Sequence, residues 1–149
     1  PYPPIWIGSL TGKRLISRVA AIYANVYNTF PKTPSEFTKQ METFKESCRL
    51  VGRRYEDVKK TITSGFTIAR TKWEIDNKLT EEARRRGLSS DEYEKGLEGS
   101  LYGTPTMCAE VVKQYADAGV QGLILIFPPT KTMEDLRLFS EVIQQFRDK

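Results

Sequence analysis

The chain has 149 residues, a net charge of +4 at pH 7, 39% hydrophobic and 28% charged residues, and no histidine. That length suits one domain with a real core, and the lack of histidine removes imidazole acid–base chemistry and histidine-bound metals from this chain. No apolar run approaches the ~18 residues of a membrane span, the longest being Leu123 to Phe127, and no basic-then-apolar leader opens the sequence, so a cytoplasmic protein without a membrane partner is expected.

The first stretch organises the rest. Ile5-Trp6-Ile7 reads as a short buried strand running into the turn Gly8-Ser9-Leu10-Thr11-Gly12, with a helix beginning at about Thr11 or Gly12. Unpaired first-turn amides and the positive end of the helix dipole make such a loop a seat for a phosphate-sized anion, the alternative being an ordinary strand-to-helix turn with no ligand. It is not a nucleotide-binding P-loop, which needs four residues between the glycines and Ser or Thr after the lysine; here there are three, and Lys13 is followed by Arg14.

Lys13 to Ile22 carries an apolar stripe of Leu15, Ile16, Val19, Ala20 and Ile22, and a strand follows at about Ala24 to Asn28. Thr33, Pro34 and Glu36 give a capping box with proline at the first helical position, opening a helix whose inner face is Phe37, Met41, Phe44, Cys48 and Val51 and which Gly52 closes. Thr61 to Ala69 alternates as a strand ending at Arg70-Thr71. The polar segment 72–102, broken by Gly87, Gly96 and Gly99, reads as an insertion with surface helices at about Ile75 to Arg86 and Ser90 to Leu97. Within it, Arg84-Arg85-Arg86 beside Glu81 and Glu82 is a solvated helical face, so no nucleic-acid partner is expected.

Thr104-Pro105 starts another helix, packing through Cys108, Val111, Val112, Tyr115 and Ala116 and ending at Gly119. A uniformly apolar strand, Gly122 to Phe127, is stopped by Pro128-Pro129, and a last helix capped by Thr132 turns Leu136, Phe139, Val142, Ile143 and Phe146 inward. Cys48 and Cys108 both fall on apolar helix faces and read as small buried hydrophobes, with no metal site. Alternation of strand and helix implies an α/β fold, a parallel sheet with right-handed crossovers.

Pro4-Ile5-Trp6-Ile7-Gly8 with Gly12-Lys13-Arg14, the segment ending Tyr23-Ala24-Asn25-Val26-Tyr27-Asn28, Thr33-Pro34-x-Glu36-Phe37, Gly103-Thr104-Pro105 and Tyr115 to Gly122 together resemble the carboxyl-terminal half of the bacterial luciferase-like flavin and deazaflavin oxidoreductases. The resemblance runs through nearly the whole chain. It implies half of a TIM (β/α)8 barrel, strands five to eight with their helices, as a single domain over residues 1–149 with the insertion at about 72–102. The implied cofactor is FMN or the deazaflavin coenzyme F420, used on a small-molecule substrate for monooxygenation or hydride transfer. The matching loop assigns Gly8, Ser9, Thr11 and Gly12 to the cofactor phosphate, through backbone N–H groups and two hydroxyls.

Active sites of such barrels lie at the carboxyl ends of the strands, here Gly8 to Gly12, Asn28-Thr29, Arg70-Thr71 and Phe127-Pro128. Arg70 is a further candidate against the alternative of a surface ion pair, and no catalytic side chain is assigned because the cofactor performs the redox step. The sequence departs from the family pattern at Ser9, where a second glycine is usual, and at Asn25-Val26-Tyr27, where Asp-Gly-Trp is common; both bear on the choice of cofactor. Four strands cannot close a barrel, so a homodimer or a missing amino-terminal half is expected. The alternative is a non-catalytic assembly or binding module that keeps the half-barrel shape and has lost the cofactor.

Overall fold

The computed structural model describes residues 2–97, 100–127 and 131–147. In chain order the elements are β1 (Trp6–Ser9), α1 (Arg14–Tyr23), β2 (Val26–Thr29), α2 (Pro34–Leu50), a 3₁₀ turn (Tyr55–Asp57), β3 (Lys59–Ser64), β4 (Phe66–Ile68), α3 (Lys72–Arg85), α4 (Ser90–Gly96), β5 (Leu101–Gly103), α5 (Pro105–Asp117), β6 (Leu123–Leu125) and α6 (Met133–Arg147). One sheet has the order β1-β2-β3-β6, with β1–β2 and β2–β3 parallel; β4 and β5 form a separate parallel pair. The expected α/β architecture of parallel βα units is present.

The chain divides into two compact units, Pro1–Ser64 with Tyr115–Ile124, and Gly65–Gln114 with Leu125–Lys149. In the first, Tyr27 of β2 stacks on Phe44 of α2 with centroids 4.4 Å apart, and Phe37, Met41 and Cys48 complete the inward stripe read from the sequence. The start of α2 is as expected, with Thr33 Oγ1 accepting from the Glu36 N–H at 3.1 Å. The Glu36 carboxylate reaches back to the N–H of Lys32, at 2.7 Å, and not to that of Thr33, so the capping is displaced by one residue.

Three expectations for this unit are corrected. Helix α1 starts at Arg14, later than Thr11 or Gly12, because Gly12 adopts φ +60°, which no right-handed helix accommodates. It also buries Ser17, Ala20 and Ala21 and leaves most of the expected stripe outside: Leu15 is 74% exposed, and Ile16, Val19 and Ile22 are exposed with it. Small residues let the helix approach the sheet closely, and the large ones then point away. Strand β1, expected to be covered on both faces, is an edge strand with Trp6 51% exposed.

In the second unit, Ile75, Leu79 and Ala83 of α3 cluster with Ala69 and Tyr93, while Phe66 meets Phe127 and Phe139 at centroid distances of 4.7 and 5.3 Å. Full capping boxes start both surface helices, Thr71 with Glu74 on α3 and Ser89 with Glu92 on α4. Asp135 of α6 is buried yet charged, its carboxylate 2.5 Å from Lys78 Nζ, which also donates to the Ile68 carbonyl at 2.8 Å. Burial alone pushes the Asp135 carboxyl up, but the hydrogen bonds from Lys78 and Thr132 outweigh it and hold it below the ordinary value.

The single strand expected over Thr61 to Ala69 is two. The alternation of Ile62, Ser64, Phe66 and Ile68 passes Gly65 unbroken, but the partner changes from β2 to β5, a non-local choice that alternation does not encode. β5 falls at the end of the segment read as an insertion, past its expected helices, and is not anticipated from the sequence, three residues being too short for a periodic signal. On α6, Asp135, Leu138, Phe139 and Val142 face inward, and Leu136, Ile143 and Phe146 are exposed, because Asp135 is drawn inside by Lys78 and Thr132. β6 is shorter than Gly122 to Phe127. The stop at Pro128-Pro129 and the break at Gly99 lie outside the described residues. Among the described residues no helix is long and apolar enough to cross a membrane.

Candidate functional site

In the first unit, the parallel register sets Gly8 beside Asn28, Ser9 beside Thr29, and Asn28 beside Thr61, so the glycine loop and the end of β2 share one rim at the carboxyl ends of the strands. Alternation sends Tyr27 toward α2 and α1, where its hydroxyl lies 3.0 Å from Ser17 Oγ; Asn28 points to the opposite face and bonds β3. There Asn28 Nδ2 donates to Thr63 Oγ1 at 2.8 Å and Thr61 Oγ1 donates to Asn28 Oδ1 at 2.9 Å. A neutral side chain locked on both sides this way presents a fixed polar edge.

The loop is tied from within. The Gly12 N–H donates to Ser9 Oγ at 3.0 Å, the Gly12 carbonyl accepts from Ser17 Oγ at 3.2 Å, and both Ser9 and Gly12 are buried. Gly12 is obligatory here: its φ is +60°, and a Cβ would lie 2.7 Å from Gln40 Cγ. Gly8 is the reverse case, since a Cβ there would meet nothing within 4 Å, so its backbone borders open space. Leu10 and Thr11 form the exposed tip.

Helix α1 has Lys13 at its N-cap and no side-chain cap; its first intrahelical bond is Ser17 N–H to the Lys13 carbonyl. The N–H groups of Arg14, Leu15 and Ile16 precede that bond and point out of the helix end. The sequence suggests residues 8–12 as a candidate anion seat; in the structure the uncapped amides carry this row of outward N–H groups on to Ile16.

Two buried polar atoms beside this loop have no hydrogen-bond partner among the described residues: Thr29 Oγ1, on a fully buried residue, and Gln40 Oε1, on a residue 5% exposed. Thr29 is paired in register with Ser9, and Gln40 lies against Gly12. Leaving such a group unpaired costs about 1–3 kcal/mol each. Thr29 is one of the strand-end positions expected at the site from the sequence; Gln40 is not. Gln40 carried a signal, being a polar residue on the stripe of Phe37, Met41 and Phe44; the signal of Thr29 was its place at the carboxyl end of a strand, not its residue type, since threonine is an ordinary strand residue.

The other expected strand tips lie in the second unit. Arg70 is held by acidic residues of α6, its Nη2 3.0 Å from Glu141 and 3.8 Å from Glu134. Thr71 caps α3, and Phe127 packs on Phe66. Cys108 is buried, with its thiol pushed up to about 12 by desolvation, a state inert as a nucleophile.

No family model and no curated protein matches the chain. Solved structures do. An F420-dependent secondary alcohol dehydrogenase in complex with an F420-acetone adduct superposes with TM-score 0.75 at 12% identity, over 99% of this chain and 50% of its own. The coenzyme F420 dependent tetrahydromethanopterin reductase from Methanopyrus kandleri gives 0.67 at 17% identity, over 97% and 51%. A long-chain alkane monooxygenase gives 0.72 at 14% identity, over 97% and 41%. The likeness establishes the fold: parallel βα units corresponding to half of a TIM barrel, in a chain that spans about half the length of the solved chains it matches.

Proposed function

We propose that this chain is the carboxyl-terminal half of a luciferase-like oxidoreductase using FMN or coenzyme F420, and that it contributes the loop that seats the cofactor phosphate. The carrying observation is the rim itself, where an internally tied glycine loop, uncapped helix amides and two orphaned buried polar atoms are neighbours. Gly8 admits the ligand to the backbone, the Thr11 hydroxyl donates from the tip, and the Gly12 turn orients the amides that follow. Ser9 Oγ accepts from Gly12 and keeps its own proton to donate to a phosphate oxygen. Thr29 supplies a further donor, and Gln40 Oε1 accepts from a hydroxyl of the polyol chain that carries the phosphate in both cofactors. The bound cofactor supplies the redox chemistry, by hydride transfer or monooxygenation of a small molecule.

The likeness to F420-dependent and flavin-using enzymes supports an F420 or flavin enzyme, and matching half of each supports a further half-barrel, whether a preceding segment or a second copy. The free edge of β1 and the exposed Ile5, Trp6, Leu15 and Ile22 are the surface it would cover. We further propose that residues 1–149 act as one half-barrel domain. The chain alone is then at least a dimer at micromolar concentration; a monomer by light scattering contradicts this.

One observation favours a second reading, a binding module without redox activity: the Gly12 amide is already spent on Ser9. Titrating the folded protein with FMN and with F420, read by absorbance, separates the two. Saturable binding supports the enzyme reading, and no spectral change with either cofactor supports the module.

A further inference from the structure

The second unit encloses a cavity of about 520 Å³ bordered by α3, α4, β4 and residues that follow β6. Its apolar wall includes Phe66, Tyr93 and Ile126, and four charged residues line it: Glu82, Arg86, Glu92 and Lys131. Both carboxylates are already satisfied. Glu82 Oε1 takes Arg85 at 3.4 Å, and Glu92 Oε2 accepts from the Ser89 N–H at 3.0 Å and from Ser89 Oγ at 2.7 Å.

The two cations are not. Among the described residues no carboxylate lies within the 4.0 Å ion-pair distance of Arg86 or Lys131. Each rests on a ring instead: the Arg86 guanidinium carbon is 5.1 Å from the Tyr93 centroid and Lys131 Nζ is 5.4 Å from that of Phe66. The one side-chain hydrogen bond of Lys131, to Thr67 Oγ1, is long at 3.4 Å. Burial pushes its ammonium below the ordinary value, and Asp135 and Glu82 oppose that only in part.

A cavity of this volume is in the range of small-ligand pockets, about 300–1,000 Å³, which are mostly apolar with a few convergent polar groups. Two unpaired cations over aromatic rings select a negative head, and the apolar wall selects what the head is attached to. We propose that this cavity binds an amphipathic organic anion, its carboxylate or phosphate head held by Lys131 and Arg86 and its aliphatic or aromatic body against Phe66 and Ile126. It shares no residue with the glycine loop, so this inference and the cofactor proposal can fail separately.

The test is calorimetric titration of the full chain with octanoate, octyl phosphate and, as a neutral control, octanol, all below their micellar concentrations. Octanoate or octyl phosphate should bind at least about tenfold more tightly than octanol, the weight of one charge-assisted contact, and the stronger of the two names the head group. Lys131→Met and Arg86→Met should each weaken the anions by about tenfold and leave octanol unchanged, whereas Arg86→Lys should retain most of the affinity. Circular dichroism establishes that each variant is folded; if one is not, Lys131→Gln or Arg86→Gln replaces it. Equal affinity for anion and alcohol, anion binding that survives both substitutions, or no binding of any probe overturns the proposal.

Discussion

The two units are held together by different chemistry. Inside the first, the bonds are neutral, Asn28 with Thr61 and Thr63 and Ser17 with Tyr27, around the stacked rings of Tyr27 and Phe44, while its ion pairs, Arg49 with Glu46 and Arg54 with Asp57, lie on the surface. The second rests on charges: Lys78 with Asp135, Arg70 with Glu141, and the glutamates that complete two capping boxes. Neutral networks are indifferent to pH and salt, and a buried ion pair is sensitive to the loss of either partner. Unsatisfied atoms in the first unit therefore stand out against a background of satisfied ones, while the second unit's charges are distinguished by which of them have partners.

The largest expected effect is on the second unit. Lys78→Met leaves Asp135 buried without its cation and should cost about 3 kcal/mol, the low end for a buried pair because the Lys78 side chain is 36% exposed, seen in urea unfolding and as faster amide exchange in α3 and α6 with the first unit's core protection retained. Asp135 also sets a pH dependence. Its carboxyl is held below the ordinary value, so its contribution to stability is complete above the normal carboxylate range, about pH 4, and is lost as pH falls through the lowered folded-state value. The acid limb of a stability profile should shrink in Lys78→Met and persist in a first-unit variant.

Gly12→Ala reverses the pattern. A side chain at φ +60° that collides with Gln40 should destabilise the first unit by about 1–3 kcal/mol and weaken binding of phosphate-bearing cofactors, leaving protection of α3 and α6 unchanged. The smallest effect is Thr71→Ala, which removes one arm of a capping box and should cost the second unit about 1 kcal/mol. Equal losses in both units for either variant would show that they unfold as one.

Much of this was legible in the sequence, and the misses have physical causes. The α2 stripe and its Thr33-Pro34 start could be read because capping and periodicity are local. The α1 stripe was visible but its cover was not: periodicity reports an apolar face, and Leu15, Val19 and Ile22 are left exposed by this chain's described residues. The division at Gly65 and the pairing of β4 with β5 depend on partners more than thirty residues away in sequence. The glycine loop stood out as a candidate because Gly8 and Gly12 are conspicuous, whereas the unpaired atoms of Thr29 and Gln40 are a property of their buried surroundings, which no residue type announces.

The most direct test of the phosphate seat compares FMN with riboflavin, which differ only in the phosphate, in calorimetric and amide chemical-shift titrations of the full chain. FMN should bind at least about tenfold more tightly, with its largest shifts at the amides of residues 8–16. Equal affinity for the two, or shifts that leave those amides unmoved, would contradict a phosphate held at the glycine loop.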